Sequence, residues 1–364
     1  MNKFYSLFAI LTTGLALAQA GAPAAYYNGI NFNQSATGIK TALSTKITTT
    51  HTRTLDYGQA NEAIRIVDLD PEDATRTNVL LLYGFSNNIC PASTSDDNDH
   101  RRRNKNSSGG GQTCQWNREH TYAKSLGNPD LGQSGPGADP HHLRASDVQR
   151  NGNRASLKFV DGSGNSRAIS GGWYPGDEWK GDVARMMMYM YLRYGNRCLP
   201  KNVGTGATTG SDSNMVELFL KWNAEDPVSA VEEQRNTYLE NTSNTYGQGN
   251  RNPFIDNPFL ATVIWGGQPA QNNWPNVFLS TTTFDAISAI SVYPNPSNDN
   301  RINIDSEVVL DEIELINING QLMQQIKKPT AVDHTYTIEN LPSGFYFLKL
   351  SANNQSTTKK VIVN

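Results

Sequence analysis

Cysteine is scarce in this chain of 364 residues, and a long apolar run occurs once. Cys90, Cys114 and Cys198 form no CxxC pair, so a zinc ribbon is excluded. Positive charge is not in excess either. The 31 Lys and Arg meet 34 Asp and Glu for a net charge of −3. That excludes a globally basic nucleic-acid coat, but not an enzyme that meets a polyanion through one local patch. Gly 30 and Pro 17 are ordinary counts, so collagen-like and wholly disordered chains are excluded too. The length suffices for about two domains.

The apolar run, Phe4 to Ala18, follows Lys3 and ends in Ala18-Gln19-Ala20. It reads as a secretory signal peptide over residues 1–20. It is short for a bilayer span of roughly 20 residues and is broken by Thr12, Thr13 and Gly14. The mature chain is expected to be exported through the periplasm, without a membrane span, and to act as a monomer. Export permits disulfides, and three thiols leave one over. A Cys90–Cys114 bridge would close the loop carrying the charged run 96–105, although spacing alone does not fix the pairing.

The expected fold is α+β: a signal peptide (1–20), a mixed α/β domain (21–270), a linker (271–289) and a small all-β sandwich (290–364). In the first domain Ala22 to Asp70 reads as mostly helical, and Asn61–Arg65 as a strand start or a helix end. Ile66 to Tyr83 reads as strands, and 92–112 as an exposed loop. Asp182–Tyr194 is a helix whose Met run packs the core, closed by Gly195. Further helices are expected at Met215–Trp222 and, after an Asp226 cap, at Pro227–Glu240. The last 75 residues hold no Trp and no Cys, and they alternate apolar with polar residues. Strands are expected at Arg301–Asp305, Glu312–Ile318, Thr335–Ile338, Phe345–Leu350 and Val361–Val363, with an Asn319-Gly320 hairpin turn.

Val292-Tyr293-Pro294-Asn295-Pro296, Leu341-Pro342-Ser343-Gly344-Phe345-Tyr346 and the terminal Lys359-Lys360-Val361-Ile362-Val363 resemble a type IX secretion C-terminal sorting domain over 291–364. The resemblance implies that this region is an export address read by the type IX machinery. It places the chain outside the cell or on its surface.

The chemical groups concentrate in residues 116–154, where three of the six histidines fall within 23 residues among acid, amide and guanidinium groups. Phosphodiester hydrolysis needs such a set. A neutral imidazole deprotonates water near pH 7. A hard cation on oxygen ligands stabilises the developing charge, and arginines hold nonbridging oxygens. Trp116-Asn117-Arg118-Glu119-His120, Asp139-Pro140-His141-His142-Leu143-Arg144 and Asn151-Gly152-Asn153-Arg154 resemble the endonuclease I family of secreted nucleases with a ββα-metal site. The likeness extends to Lys180–Arg185 and Asn250–Asp256, over roughly residues 60–265. It implies His120 as general base and Glu119 with Asn151 as ligands of Mg²⁺, with Ca²⁺ or Mn²⁺ as alternatives. Arg154 and Arg185 would bear on the phosphate or transition state, and Arg144 and Arg118 on the substrate. Asp139, His141 and His142 would stand behind the site.

The substrate implied is DNA, with RNA as a second candidate, cut without sequence preference to leave 5′-phosphate ends. Pro140 stands where the family commonly has Leu and removes a backbone donor beside Asp139 and His141. Adjacent strand residues face opposite ways, so Glu119 and His120 serve one site only if it wraps the strand. Two other functions compete. One is a zinc hydrolase on His120, His141, His142 and Asp139, and the other a noncatalytic surface adhesin. The run Arg101–Lys105 reads as a solvated loop, because Asp96, Asp97 and Asp99 offset its charge.

Overall fold

The computed structural model describes residues 24–87, 98–111, 114–278, 290–352 and 355–364. The signal peptide and Cys90 lie outside the described residues. Cys114 is disulfide-bonded, and Cys198 is a free, buried thiol. The chain forms two compact units, Met1–Val277 and Phe278–Asn364.

The first unit opens with α1 (Ala36–Thr49), capped by Ser35, whose hydroxyl accepts the Gly38 amide at 3.2 Å. Ile39, Leu43 and Ile47 repeat every fourth residue and form its buried stripe. Helix α2 (Tyr57–Val67) begins in a capping box: Asp56 accepts the Gln59 amide, and Gln59 accepts the Asp56 amide. Asn61–Arg65 lie inside this helix. Strand β1 (Asn78–Leu80) pairs antiparallel with β2 (Arg102–Asn104). The expected solvated loop at 101–105 is therefore corrected in part. Arg101 pairs with Glu178, Arg102 with Asp70 and Glu72, and Arg103 with the Asp147 carboxylate at 2.5 Å.

Strands β3 (Trp116–His120) and β4 (Leu143–Asp147) pair antiparallel, with Glu119 opposite Arg144 and His120 opposite Leu143. Helix α3 (Val148–Arg154) follows at once, because the Asp147 carboxylate accepts the Gln149 and Arg150 amides. Ala60 and Ile64 of α2 pack on Trp116, Leu143 and Ala145, so the start of α2 lies beside β3. A short hairpin, β5 (Arg167–Ile169) and β6 (Gly172–Tyr174), precedes α4 (Lys180–Tyr194). Residues Gly181 to Leu192 of α4 are all buried, and Gly195 closes it at φ 55°, as the Met-rich pattern and the glycine predict.

After α5 (Pro200–Val203) comes α6 (Glu217–Glu225), two residues later than expected. Helix α7 (Ala230–Glu240) is capped by Ser229 and Glu232 in a capping box, not by Asp226. Asp226 ends α6, and its carboxylate accepts the Gly181 amide at 2.8 Å. The reciprocal Ser229–Glu232 pair satisfies two orphan amides, which a lone Asp226 three residues earlier would not. Helices α8 (Pro253–Asp256), α9 (Phe259–Trp265) and α10 (Pro275–Phe278) complete the described helices. The unit runs past residue 270 because Trp274 packs on Tyr27 and Phe32 at 5.0 and 5.5 Å between ring centroids. Among the described residues no helix is long and apolar enough to cross a membrane.

The second unit holds two antiparallel sheets. One is β7 (Ser291–Tyr293), β8 (Ile302–Asp305) and β11 (Thr335–Ile338) in the order β11-β8-β7. The other is β9 (Glu312–Asn317), β10 (Leu322–Lys327), β12 (Gly344–Ala352) and β13 (Gln355–Val363) in the order β10-β9-β12-β13. Ile302, Ile304, Tyr336 and Ile338 of the first meet Ile313, Leu315, Leu348 and Leu350 of the second in one core. This is the expected sandwich, with Asn319-Gly320 turning the β9–β10 hairpin at a positive Gly320 φ of 80°.

Candidate active site

Strand alternation sends Arg118 and His120 to one face of β3 and Asn117 and Glu119 to the other. The second face meets α3. There Asn151 donates its amide to Asn117 Oδ1 at 2.7 Å, and Arg154 Nη1 lies 3.1 Å from Glu119 Oε1. A cavity of about 300 Å³ is nonetheless lined by Arg118, Glu119, His120, Lys124, Asn151 and Arg154 together, with Ser125 and Ser156 at its side. It wraps the strand rather than lying on one face. A larger cleft of about 560 Å³, lined by Asp161, Glu217, Lys221 and neighbours, contains no histidine or arginine.

His120 Nε2 lies 2.9 Å from the Gly137 carbonyl oxygen. A carbonyl only accepts, so Nε2 carries the proton and Nδ1 keeps its lone pair. Burial pushes the imidazole down to about 4, partly offset by the Gly137 bond, so the ring is neutral near pH 7. Its ring stacks on Tyr57 at 5.6 Å and lies 5.7 Å from His142.

Glu119 is buried, and Oε1 accepts the Tyr83 hydroxyl at 2.9 Å. Burial pushes its carboxyl up, while Arg154 and Tyr83 restrain it. Asn151 spends its amide nitrogen on Asn117 Oδ1 and, at 3.4 Å, the Arg118 carbonyl, so its side-chain oxygen is the atom left for the cavity. Two hard oxygen donors, one on a carboxylate that burial has stripped of water, fit a divalent cation whose other positions water fills. Arg154 is buried and bonds the His120, Thr121 and Ala155 carbonyls at 3.0, 2.9 and 3.3 Å, fixing the end of β3.

Five expected residues lie away from the cavity in other settings. Arg144 and Arg185 do not reach it. They belong to a fully buried network of three guanidiniums and three carboxylates. Arg144 lies 3.0 Å from Asp68 and 2.9 Å from Asp182. Arg185 holds both oxygens of Glu232 at 2.6 and 2.7 Å, and Arg235 pairs with Asp68. In place of the cavity expected for them, each cation is enclosed by its own acids. Asp139 Oδ2 accepts the Tyr189 and Tyr194 hydroxyls at 2.9 and 2.8 Å, and Oδ1 accepts the His141 amide. Burial alone would raise its carboxyl, but the surrounding histidines and that amide hold it near 2. His141 Nε2 faces the Asn250 carbonyl at 3.2 Å, and its ring lies 4.4 Å from that of Tyr189 with the planes tilted by 38°.

His142, the remaining expected histidine, gives Nε2 to Pro136 O at 2.7 Å. The three histidines therefore serve three different carbonyls. Among the described residues no three His, Cys, Asp or Glu side chains gather as a metal site, so the zinc alternative has no centre. Pro140 leaves the turn intact, since the turn is closed by the His142 and Leu143 amides on the Asp139 carbonyl at 3.2 and 3.3 Å and needs no donor from residue 140. Tyr57, Tyr83 and Lys124 were not singled out by sequence; an aromatic three residues before Ala60 carries no chemical signal of its own.

The relatives of this chain set its class, a hydrolase of phosphodiester bonds. The chain belongs to the Endonuclease I family, whose model matches residues 35–259. Residues 291–364 match the secretion system C-terminal sorting domain. An extracellular ribonuclease of Bacillus amyloliquefaciens is 38% identical over 242 residues, covering 64% of this chain and 75% of its own. An extracellular ribonuclease of Bacillus subtilis (strain 168) is 38% identical over 269 residues, covering 69% and 83%. A solved structure of PorZ, a surface component of the type-IX secretion system of Porphyromonas gingivalis, covers 23% of this chain and 12% of its own at 15% identity and a TM-score of 0.19. A likeness that low bears on neither fold nor function. The chain is thus a nuclease that is secreted or held at the cell surface. Nucleases of this family generally depend on a divalent metal ion.

Proposed function

We propose that the chain is a divalent-metal-dependent endonuclease that cuts DNA and RNA without sequence preference, using a ββα-metal site built from β3, β4 and α3. The observation that carries this reading is the proton placement on His120. With Nε2–H given to the Gly137 carbonyl, Nδ1 is the base that takes a proton from water. The order strand, strand, helix around Glu119, His120 and Asn151 supports it. Glu119 and Asn151 would hold the cation, Mg²⁺ by preference. When bound, that ion supplies charge stabilisation at the phosphoryl and leaving 3′ oxygens. Arg118 and Lys124 line the cavity as the cations that face a phosphate, and Arg154 sets Glu119 and the end of β3. The products carry 5′-phosphates.

Beside Glu119 and His120 the polar lining is cationic, amide and hydroxyl, which suits the phosphate that DNA and RNA share. The ribonuclease names of the two relatives favour RNA as one substrate. Every residue invoked comes from one copy of the chain, in keeping with a monomer. The test is cleavage of supercoiled plasmid and of RNA by the wild type and by His120→Ala, with Mg²⁺ or with EDTA. Loss of about 10²-fold or more in kcat for the variant is expected, with EDTA abolishing cleavage and Mg²⁺ restoring it. Full activity in His120→Ala, or in EDTA, overturns the reading.

A further inference from the structure

Tyr57 is the first residue of α2, and its place is set by the fold rather than by the site. The Asp56–Gln59 capping box fixes the helix start with bonds of 2.8 and 3.1 Å. Ala60 and Ile64 seat the helix on Trp116, Leu143 and Ala145, and Tyr57 packs against that same cluster. From this base its ring meets two cavity residues. The His120 imidazole stacks on it at 5.6 Å between centroids, with 19° between planes. The Arg118 guanidinium carbon lies 3.6 Å from its centroid, and Arg118 Nη1 donates to the Tyr57 carbonyl. Arg118 and His120 are two apart on β3 and share a face, so one ring reaches both. The contacts are made by the ring and the backbone, not by the hydroxyl.

The Gly137 carbonyl holds one nitrogen of His120, and a single hydrogen bond leaves the imidazole free to turn about it. A flat ring laid against the imidazole removes that turn. Arg118 likewise needs more than one bond to keep its fork at the cavity, and a guanidinium over an aromatic face is attracted to it.

We propose that Tyr57 is a positioning residue of the nuclease: its ring fixes the plane of His120 and holds Arg118 at the cavity. This rests on His120 being the base. The start of α2 is thereby part of the catalytic apparatus, although it lies far upstream of β3 in the chain.

The test uses the full chain and measures kcat and KM on plasmid and RNA for Tyr57→Phe, Tyr57→Leu and Tyr57→Met. Each variant is also made with His120→Ala and with Arg118→Ala. Two truncations are used so that one folded protein, checked by its melting curve, suffices. Leu or Met is expected to lower kcat about 10- to 100-fold, the loss typical of a misplacement near 1 Å. Phe keeps most of the wild-type kcat. The truncation also raises KM through the loosened Arg118; in His120→Ala it costs no further kcat, and in Arg118→Ala it no longer raises KM, because coupled residues are not additive. Wild-type kcat in a folded truncation overturns the proposal. So does the same fold-loss with and without His120, which marks a merely structural ring. A fully active His120→Ala instead overturns the reading of the base and is distinguished by that variant alone.

Discussion

Replacing Arg185 by Met should damage stability and leave chemistry alone. Arg185 grips both oxygens of Glu232 at 2.6 and 2.7 Å, donates to the Asp226 carbonyl at 2.8 Å and lies 3.7 Å from Asp182. The Glu232 side chain is 3% exposed. Without Arg185, three buried acids share two guanidiniums, and Glu232 faces Asp182 with no cation between them. Removing one partner of a buried pair costs about 3–5 kcal/mol, because the other charge stays dry and unpaired. At roughly 2–4 °C per kcal/mol for a unit of this size, the melting temperature should fall by about 6–20 °C.

Circular-dichroism melts and urea titration measure that loss, and kcat is read well below the transition. Arg185→Met/Glu232→Met should recover the stability except for about 0.5–2 kcal/mol lost with the Ser229–Glu232 capping box, since replacing a whole buried pair by apolar groups is close to neutral. A variant that melts like the wild type but loses kcat 100-fold would place Arg185 on the substrate and refute the network.

Two further outcomes follow from the same packing. Gly137 leaves no room for a side chain: a Cβ there would sit 2.1 Å from the Gly132 carbonyl oxygen, so Gly137→Ala must shift the turn that carries the acceptor of His120. Its kcat should fall at least about tenfold, measured beside an unchanged circular-dichroism spectrum. Buried His141 and His142 are pushed down to about 4 and about 3 by desolvation. The unfolded chain therefore binds more protons below the ordinary histidine value near 6.5. With His120, also held near 4, these histidines lower stability as pH drops from about 6.5 toward 4 by at most about 4.1 kcal/mol per pH unit for three protons, offset in part by Asp226, whose carboxyl burial pushes up to about 6. Asp139, held near 2, adds a loss of the same sign only below the ordinary carboxylate range. Urea midpoints across this range check the slope.

The elements that sequence exposes are those with a long, one-sided pattern. The strands β8, β9, β11 and β12 show their period because one face of each meets a core, whereas α4, buried on every side from Gly181 to Leu192, is marked by its Met-rich run and the closing Gly195. Strand β10 escapes notice because it is an edge strand, its residues almost all exposed, so no alternation is imposed on Leu322–Lys327. Strand β7 is three residues at the edge of the other sheet, too short for any period. Asp226 and Ser229 show the limit of single-residue cap rules: the pair Ser229–Glu232 outcompetes an isolated acid.

At the site, legibility follows chain distance. Arg118, Glu119, His120, Asn151 and Arg154 come together because a hairpin and the helix after it are local structures, so their order in sequence is close to their order in space. Arg144 and Arg185 belong to the same polar stretches, but their partners Asp68 and Glu232 lie far off in the chain. An arginine's role is decided by whether acids enclose it. Arg185, with Glu232 on two nitrogens, has no donor to offer a phosphate. Arg118, half-buried with its guanidinium on the Tyr57 ring and one bond to a carbonyl, meets no carboxylate ion-pair partner among the described residues. A carboxylate neutralises a guanidinium, whereas a ring face orients it and leaves the charge intact. On the proposed reading the helix cap at Asp56 bears on substrate binding through Tyr57, and no residue-type signal in the region around β3 points to it.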